Sequence, residues 1–169
     1  MDVQLLRIDS RLVHGQVTTN WIRVLHIDRI IVVSNAVAAD HMRRLLIEQA
    51  VPSHIYVNVV NEAKMFRLLK DDRFDHLKPL ILVEDVHTAR LLVENGLSVP
   101  KINIGSLSFS TGKTRITDSI SVDAVDVNDF RWLHQQHIRL EAQKVSQDPV
   151  KDLWKVLVES SLVKESEDC

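Results

Sequence analysis

Short apolar runs alternate along the chain with amphipathic stretches. Residues 3–8 (VQLLRI) predict a buried strand, followed by a polar knot, Asp9-Ser10-Arg11, and then Leu12-Val13-His14-Gly15. From Gln16 to Leu25, the apolar residues Val17, Trp21, Val24 and Leu25 fall at helical spacing. The β-branched run RIIVVS at 29–34 predicts a second strand. A helix is expected over 40–50, with Met42, Leu45 and Leu46 on one face, then a strand over 55–60 and a helix over 62–69. Pro79 opens the next strand, 79–83, at the edge position where its missing N–H does least harm. A helix over 86–94 stops at Asn95-Gly96, and 101–104 is a short strand.

The rhythm then changes. Residues 105–119 are rich in Ser, Thr and Gly and predict turns and two short strands, ending at Ile120-Ser121-Val122. A helix returns over 124–133 on Val127, Phe130 and Leu133, and 138–145 alternates as a late strand. Asp148-Pro149 predicts the start of a final helix, since Asp caps and Pro fits the first turn. Val150, Leu153, Trp154 and Leu157 would then face inward. This alternation implies a single α/β domain with a mainly parallel central sheet and helices on both faces. A short antiparallel portion is expected near residues 105–123. The domain is expected to span residues 1–163, with a frayed polar tail over 164–169. Ligands in such folds gather at the carboxyl ends of strands near a topological switch point, here the loops after Ile8, Ser34, Val83 and Ile104.

Composition narrows the function. The 169 residues suffice for one core and are too few for two ordinary ones. A net charge of -2 gives no electrostatic support for nucleic-acid binding. Cys169 is the sole cysteine, so no disulfide or thiolate metal site forms within one chain. No run approaches the roughly 20 apolar residues of a membrane span, and the first residues lack a signal-peptide layout. A cytoplasmic protein is expected, meeting a membrane only through a partner.

The most loaded segment is RIDSRLVHGQV, residues 7–17. Arg7, Asp9, Arg11 and His14 lie between a strand and a helix start. Gly15 would allow tight backbone geometry, and the helix beginning near Gln16 would offer free N–H groups beside the His14 ring, a latent anion site. A phosphate on His14 would meet guanidinium and amide donors together, and neutral histidine is a competent nucleophile near pH 7. The plain alternative is a structural Arg–Asp pair at a strand end with an ordinary histidine nearby.

That run resembles the R-I-D-x-R-L-I-H-G-Q-V signature of the IIB components of the mannose/fructose/sorbose class of the bacterial sugar phosphotransferase system. Ile102-Asn103-Ile104-Gly105, Gly112-Lys113 with Ile116-Thr117, and Ser121-Val122-Asp123 are similar to later family segments in order and spacing. Ser10 and Ser106-Leu107 depart from the usual residues. The resemblance implies a protein-N(π)-phosphohistidine–sugar phosphotransferase. His14 would accept a phosphoryl group from phospho-IIA, through Nδ1, and pass it to a sugar entering through the IIC and IID membrane components. Arg11 would clamp the phosphate, Arg7 would add charge or hold Asp9, and Asp9 would orient Arg11 or the loop. Gly15 and Gln16 form the phosphate loop, while Asn35, Glu84 and Ser106 are candidates for the rim. No tightly bound cofactor and no metal are implied.

Other patterns are weaker. Gly105 and Gly112-Lys113-Thr114 are spaced wrongly for a nucleotide-binding phosphate loop, which leaves Lys113 as a solvated turn residue. His134 and His137 are three apart but lack a third ligand. Trp21, Trp132 and Trp154 read as core. A regulatory binding module using the same histidine, and a ligand-binding domain with no phosphorylation, remain as alternatives. An edge strand is compatible with a homodimer.

Overall fold

A computed structural model describes residues 1–163; the expected tail, 164–169, lies outside the described residues. The strands are β1 (Leu5–Asp9), β2 (Arg29–Val33), β3 (Tyr56–Val60), β4 (Pro79–Val83), β5 (Lys101–Ser106), β6 (Thr114–Arg115), β7 (Ser121–Val122), β8 (Arg139–Ala142) and β9 (Lys151–Asp152). The helices are α1 (residues 15–24), α2 (Asn35–Ala39), α3 (His41–Gln49), α4 (Glu62–Leu69), α5 (Val86–Glu94), α6 (Ala124–Gln135) and α7 (Leu153–Glu159).

The main sheet runs β3-β2-β4-β1-β5-β8-β9, parallel except for β9, and β6-β7 form a separate antiparallel pair. From β1 the chain leaves through α1 to one side. It returns in β4 beside β1 and then crosses to β5 on the other side. The strand order therefore reverses at β1, and the loop after β1 occupies the switch point.

Alternation along the strands divides two cores. Leu6, Ile8, Ile81, Val83, Ile102 and Ile104 face α4–α7, whereas Leu5, Ile30, Val32, Leu80 and Leu82 face α1–α3. Arg7 and Asp9 share the second face with Leu5, yet both are fully buried. Helices α2–α7 each start on a side chain that caps a backbone N–H: Ser34, Asp40, Asn61, Asp85, Asp123 and Asp152.

Four expectations change. The helix α2 was not foreseen: its five residues lack an apolar stripe and are set by the Ser34 cap and the burial of Val37 alone. Met42 and Leu46 on α3 face solvent, so that apolar face is not core. The late strand stops at Ala142, because the next backbone carbonyls turn to meet Arg7 and Trp21. The last helix starts at Leu153 rather than Pro149: residues 151–152 pair with β8 first, and Asp152 caps instead of Asp148, leaving Val150 exposed.

Candidate functional site at the first strand end

The foundation of the site is a buried charge pair. Arg7 Nη2 donates to Asp9 Oδ2 at 2.8 Å, with both side chains excluded from solvent. Arg7 Nη1 also donates to Asn103 Oδ1 and, at 3.1 Å, to the Gln143 carbonyl, while Nη2 meets the Lys144 carbonyl at 3.1 Å. The guanidinium lies 5.2 Å from the Trp21 ring centroid. Burial draws the Arg7 pKa below the ordinary arginine value by desolvation, and Asp9 pushes back up. Such a pair persists because nearly every polar atom is bonded; Nε alone has no partner among the described residues. Arg7 therefore reaches no solvent-borne phosphate: it holds Asp9 and the 143–144 turn in place.

Asp9 transmits that order to the loop. Its Oδ1 accepts from the Arg11 backbone N–H at 3.1 Å and from Arg11 Nε at 3.4 Å. Arg11 is half-exposed, and its Nη2 donates to Gln16 Oε1 at 3.1 Å. The chain then turns sharply, and the strain falls on Leu12, which has φ 53° and is buried. Gly15, expected to provide that freedom, has no positive φ, and a Cβ there would meet nothing within 4 Å.

His14 sits where these constraints converge. Nδ1 lies 2.9 Å from the Leu12 carbonyl, Nε2 3.4 Å from Gln16 Oε1 and 3.8 Å from Asp9 Oδ2. A carbonyl accepts only, so Nδ1 donates to Leu12, while Nε2 has two acceptor oxygens at longer range. The Nδ1 attack that the resemblance implies thus requires the ring to leave Leu12 and move its proton to Nε2, where Gln16 and Asp9 offer acceptors.

The His14 carbonyl starts α1, accepting from Val17 and Thr18 N–H groups at 2.9 and 3.1 Å. A π turn over Val17–Trp21 widens this helix, and no side chain among the described residues caps the start of that turn. Thr18 and Thr19 hydroxyls bond back to the carbonyls of His14 and Gly15.

Beside Arg11 and Gln16 opens a cavity of about 330 Å³ that Ser106, Ser108, Phe109, Arg115, Asp118 and Lys144 also line. Asn35 and Glu84 stand at the carboxyl ends of β2 and β4, outside this wall. Asn35 Oδ1 accepts from Glu62 N–H at 3.0 Å, and Glu84 accepts from Ser34 Oγ at 2.5 Å. Lys113 is not a free turn residue: Nζ is 2.6 Å from Asp126 at the start of α6. His134 stacks on Trp154 at 4.2 Å, and Trp21 and Trp154 are buried as expected. No group of three or more His, Cys, Asp or Glu fit to hold a metal occurs among the described residues. No described helix is long and apolar enough to cross a membrane.

The Gln143 and Lys144 carbonyls escaped sequence reading because backbone acceptors leave no residue signature. Asn103 and Gly105 carried only the family likeness. Their partnership with Arg7 was readable from strand alternation, which puts Arg7, Asn103 and Gly105 on one face of adjoining strands.

The doubly wound sheet, with the histidine loop at its switch point in this chain, is a fold shared with solved IIB components of sugar phosphotransferase systems. Residues 3–168 match the family described as "PTS system sorbose subfamily IIB component", and the chain belongs to it. It is 39% identical over 153 residues to the sorbose-specific EIIB component of Lacticaseibacillus casei, covering 90% of this chain and 93% of that protein. It is 39% identical over 149 residues, 88% of this chain, to the mannose-specific EIIAB component of Escherichia coli K12, and spans about half (46%) of that longer relative. The crystal structure of the IIBSor domain of the sorbose permease from Klebsiella pneumoniae superposes with a TM-score of 0.92 at 32% identity, covering 96% of this chain and 100% of that one.

Proposed function

We propose that this chain is a phosphoryl carrier of a sugar phosphotransferase system, charged on His14 by the phosphohistidine of a IIA component. The group then passes to a sugar entering through IIC and IID membrane components. The reading places the protein in the cytoplasm, held at the membrane by those partners. The observation that supports it is the convergence of the His14 ring and the Arg11 guanidinium on the same Asp9 and Gln16 side chains.

In the first transfer, the P–N bond to the donor ring breaks and its electron pair returns to that ring. A new P–N bond forms from the His14 lone pair, and the ring proton displaced from His14 ends on the donor histidine. In the second, the P–N bond to His14 breaks as a sugar hydroxyl oxygen bonds to phosphorus, and the hydroxyl proton ends on the His14 ring. Charge spreads over the equatorial oxygens in both steps, so catalysis is mostly positioning and electrostatics. Arg11, half-exposed and held beside the ring by Asp9 and Gln16, is the cation that meets those oxygens. Arg7 and Asp9 position it, and the uncapped amides of Gly15 and Gln16 add donors. The phosphoryl group arrives on a protein, and the step calls for no tightly held cofactor.

The test is phosphopeptide mapping under alkaline conditions, after incubation with phosphoenolpyruvate, the general phosphotransferase proteins and a IIA component. An acid-labile phosphate on the His14 peptide, absent in His14→Ala, supports the carrier role. No label, with a donor that charges a control IIB, sinks it. Phosphorylation without phosphoryl flow to sugar in reconstituted membranes points instead to a regulatory module. The relatives named for sorbose and for mannose match at equal identity, so the sugar is an assay question.

A further inference from the structure

The excursion between β5 and α6 lines the same cavity as Arg11, and hydrogen bonds hold it in place. Ser10 Oγ and Ser108 Oγ are 2.7 Å apart, and the Ser108 N–H donates to Ser10 Oγ at 3.2 Å. Leu107 N–H donates to the Ser119 carbonyl at 2.9 Å, and the Lys113–Asp126 pair pins the far end to α6. Three cations, Arg11, Arg115 and Lys144, face this cavity against one carboxylate, Asp118. The chain as a whole carries -2, so positive charge is concentrated here against the overall balance.

The three cations are not equivalent. Lys144 is neutralised by Asp118 at 2.9 Å, and Arg11 is bonded to Asp9 and Gln16. Arg115 is exposed and has no ion pair or side-chain hydrogen bond among the described residues; its guanidinium lies 5.9 Å from the exposed Phe109 ring. Two guanidinium groups lining one cavity repel each other until an anion lies between them. Arginine's planar fork suits the oxygens of a phosphoryl dianion.

We propose that this cavity is the far half of the phosphoryl site and that Arg115 contacts the phosphoryl dianion from the side opposite Arg11. The inference rests on the carrier reading of His14. It adds a second guanidinium that contacts the phosphoryl oxygens during transfer, contributed by a segment about a hundred residues from the histidine loop.

The experiment charges the full-length chain with two donors: a phosphorylated IIA protein, and phosphoramidate, a small donor with no docking surface. Arg115→Ala and Arg115→Lys are compared with wild type. Arg115 is exposed, so both variants keep the wild-type unfolding midpoint. Arg115→Ala charges His14 at least about tenfold more slowly with either donor, with Arg115→Lys between it and wild type. Unchanged charging by phosphoramidate overturns the proposal: a loss confined to the protein donor would make Arg115 a docking residue only. A wild-type chain that takes label from neither donor removes the carrier reading itself. A wild-type chain that charges normally beside an equally active Arg115→Ala removes this inference alone.

Discussion

A Cβ added to Gly105 would stand 1.9 Å from Nη2 of Arg7 and 2.2 Å from its Cζ. The two residues lie on adjoining strands, and the absent side chain of one makes room for the guanidinium of the other. Gly105→Ala must push Arg7 off Asp9 and off the carbonyls of 143–144, leaving buried charge without its partners. We expect a loss of about 3–5 kcal/mol in urea unfolding, the range for breaking a buried pair. A double-mutant cycle with Arg7→Met isolates the cause: with the guanidinium gone, adding the Gly105 methyl should cost much less than it does in wild type. Additive losses would show that the clash is not with Arg7.

Gly15 behaves differently despite lying beside His14. It has no positive φ, stands at the start of α1, and has open space where a Cβ would go. Gly15→Ala should leave stability unchanged or raise it by about 0.5–1 kcal/mol, since helical glycine carries an entropic cost. Thermal unfolding checks this, and a clear loss of stability would contradict the geometry. Slower charging by a protein donor at unchanged stability would assign the missing side chain to the approach of that partner.

The ring of His14 provides a spectroscopic prediction. With Nδ1 facing the Leu12 carbonyl, the neutral Nδ1–H tautomer should dominate in the unphosphorylated protein. Nitrogen-15 shifts of the imidazole report this directly. Phosphorylation at Nδ1, with the displaced proton passed to the donor histidine, would leave Nε2 without its proton, and the Leu12 contact would be lost. A dominant Nε2–H tautomer before phosphorylation would contradict the hydrogen-bond pattern.

What was legible in the sequence followed the physics that leaves a pattern. The parallel strands announce themselves as β-branched runs, and α4, α5 and β4 were delimited to the residue because caps, Gly96 and Pro79 mark their ends. The histidine loop was visible because its charges are close in sequence. The part of the Arg7 cage made by the Gln143 and Lys144 carbonyls was not, since backbone acceptors far along the chain leave no residue signature. The last helix was misplaced because Asp148 and Asp152 are both good caps, and only pairing of β9 with β8 chooses between them. The α3 face misled for a related reason: Met42 and Leu46 satisfy a helical stripe, whereas their burial depends on what lies opposite.

The Asp118–Lys144 pair clasps the excursion between β5 and α6 to the turn after β8, across the cavity next to Arg11. The hydrogen bond from Lys144 holds the Asp118 carboxyl below its ordinary range. A carboxylate whose folded pKa is depressed supports the folded arrangement above its unfolded value, about 3.9, and that support is lost as pH falls through the folded value. The clasp is therefore complete at neutral pH and opens only in acid below the ordinary aspartate range. Carbon-13 titration of the Asp118 carboxyl should give a midpoint below that of an unperturbed aspartate. Lys144→Met should return it toward the ordinary value, and added salt should do so partly, because the pair is exposed. The Lys144 backbone carbonyl still serves Arg7 and Trp21 in that variant, so the Arg7 cage and global stability should stay close to wild type. An Asp118 midpoint that ignores Lys144→Met would show that the two side chains do not pair in solution.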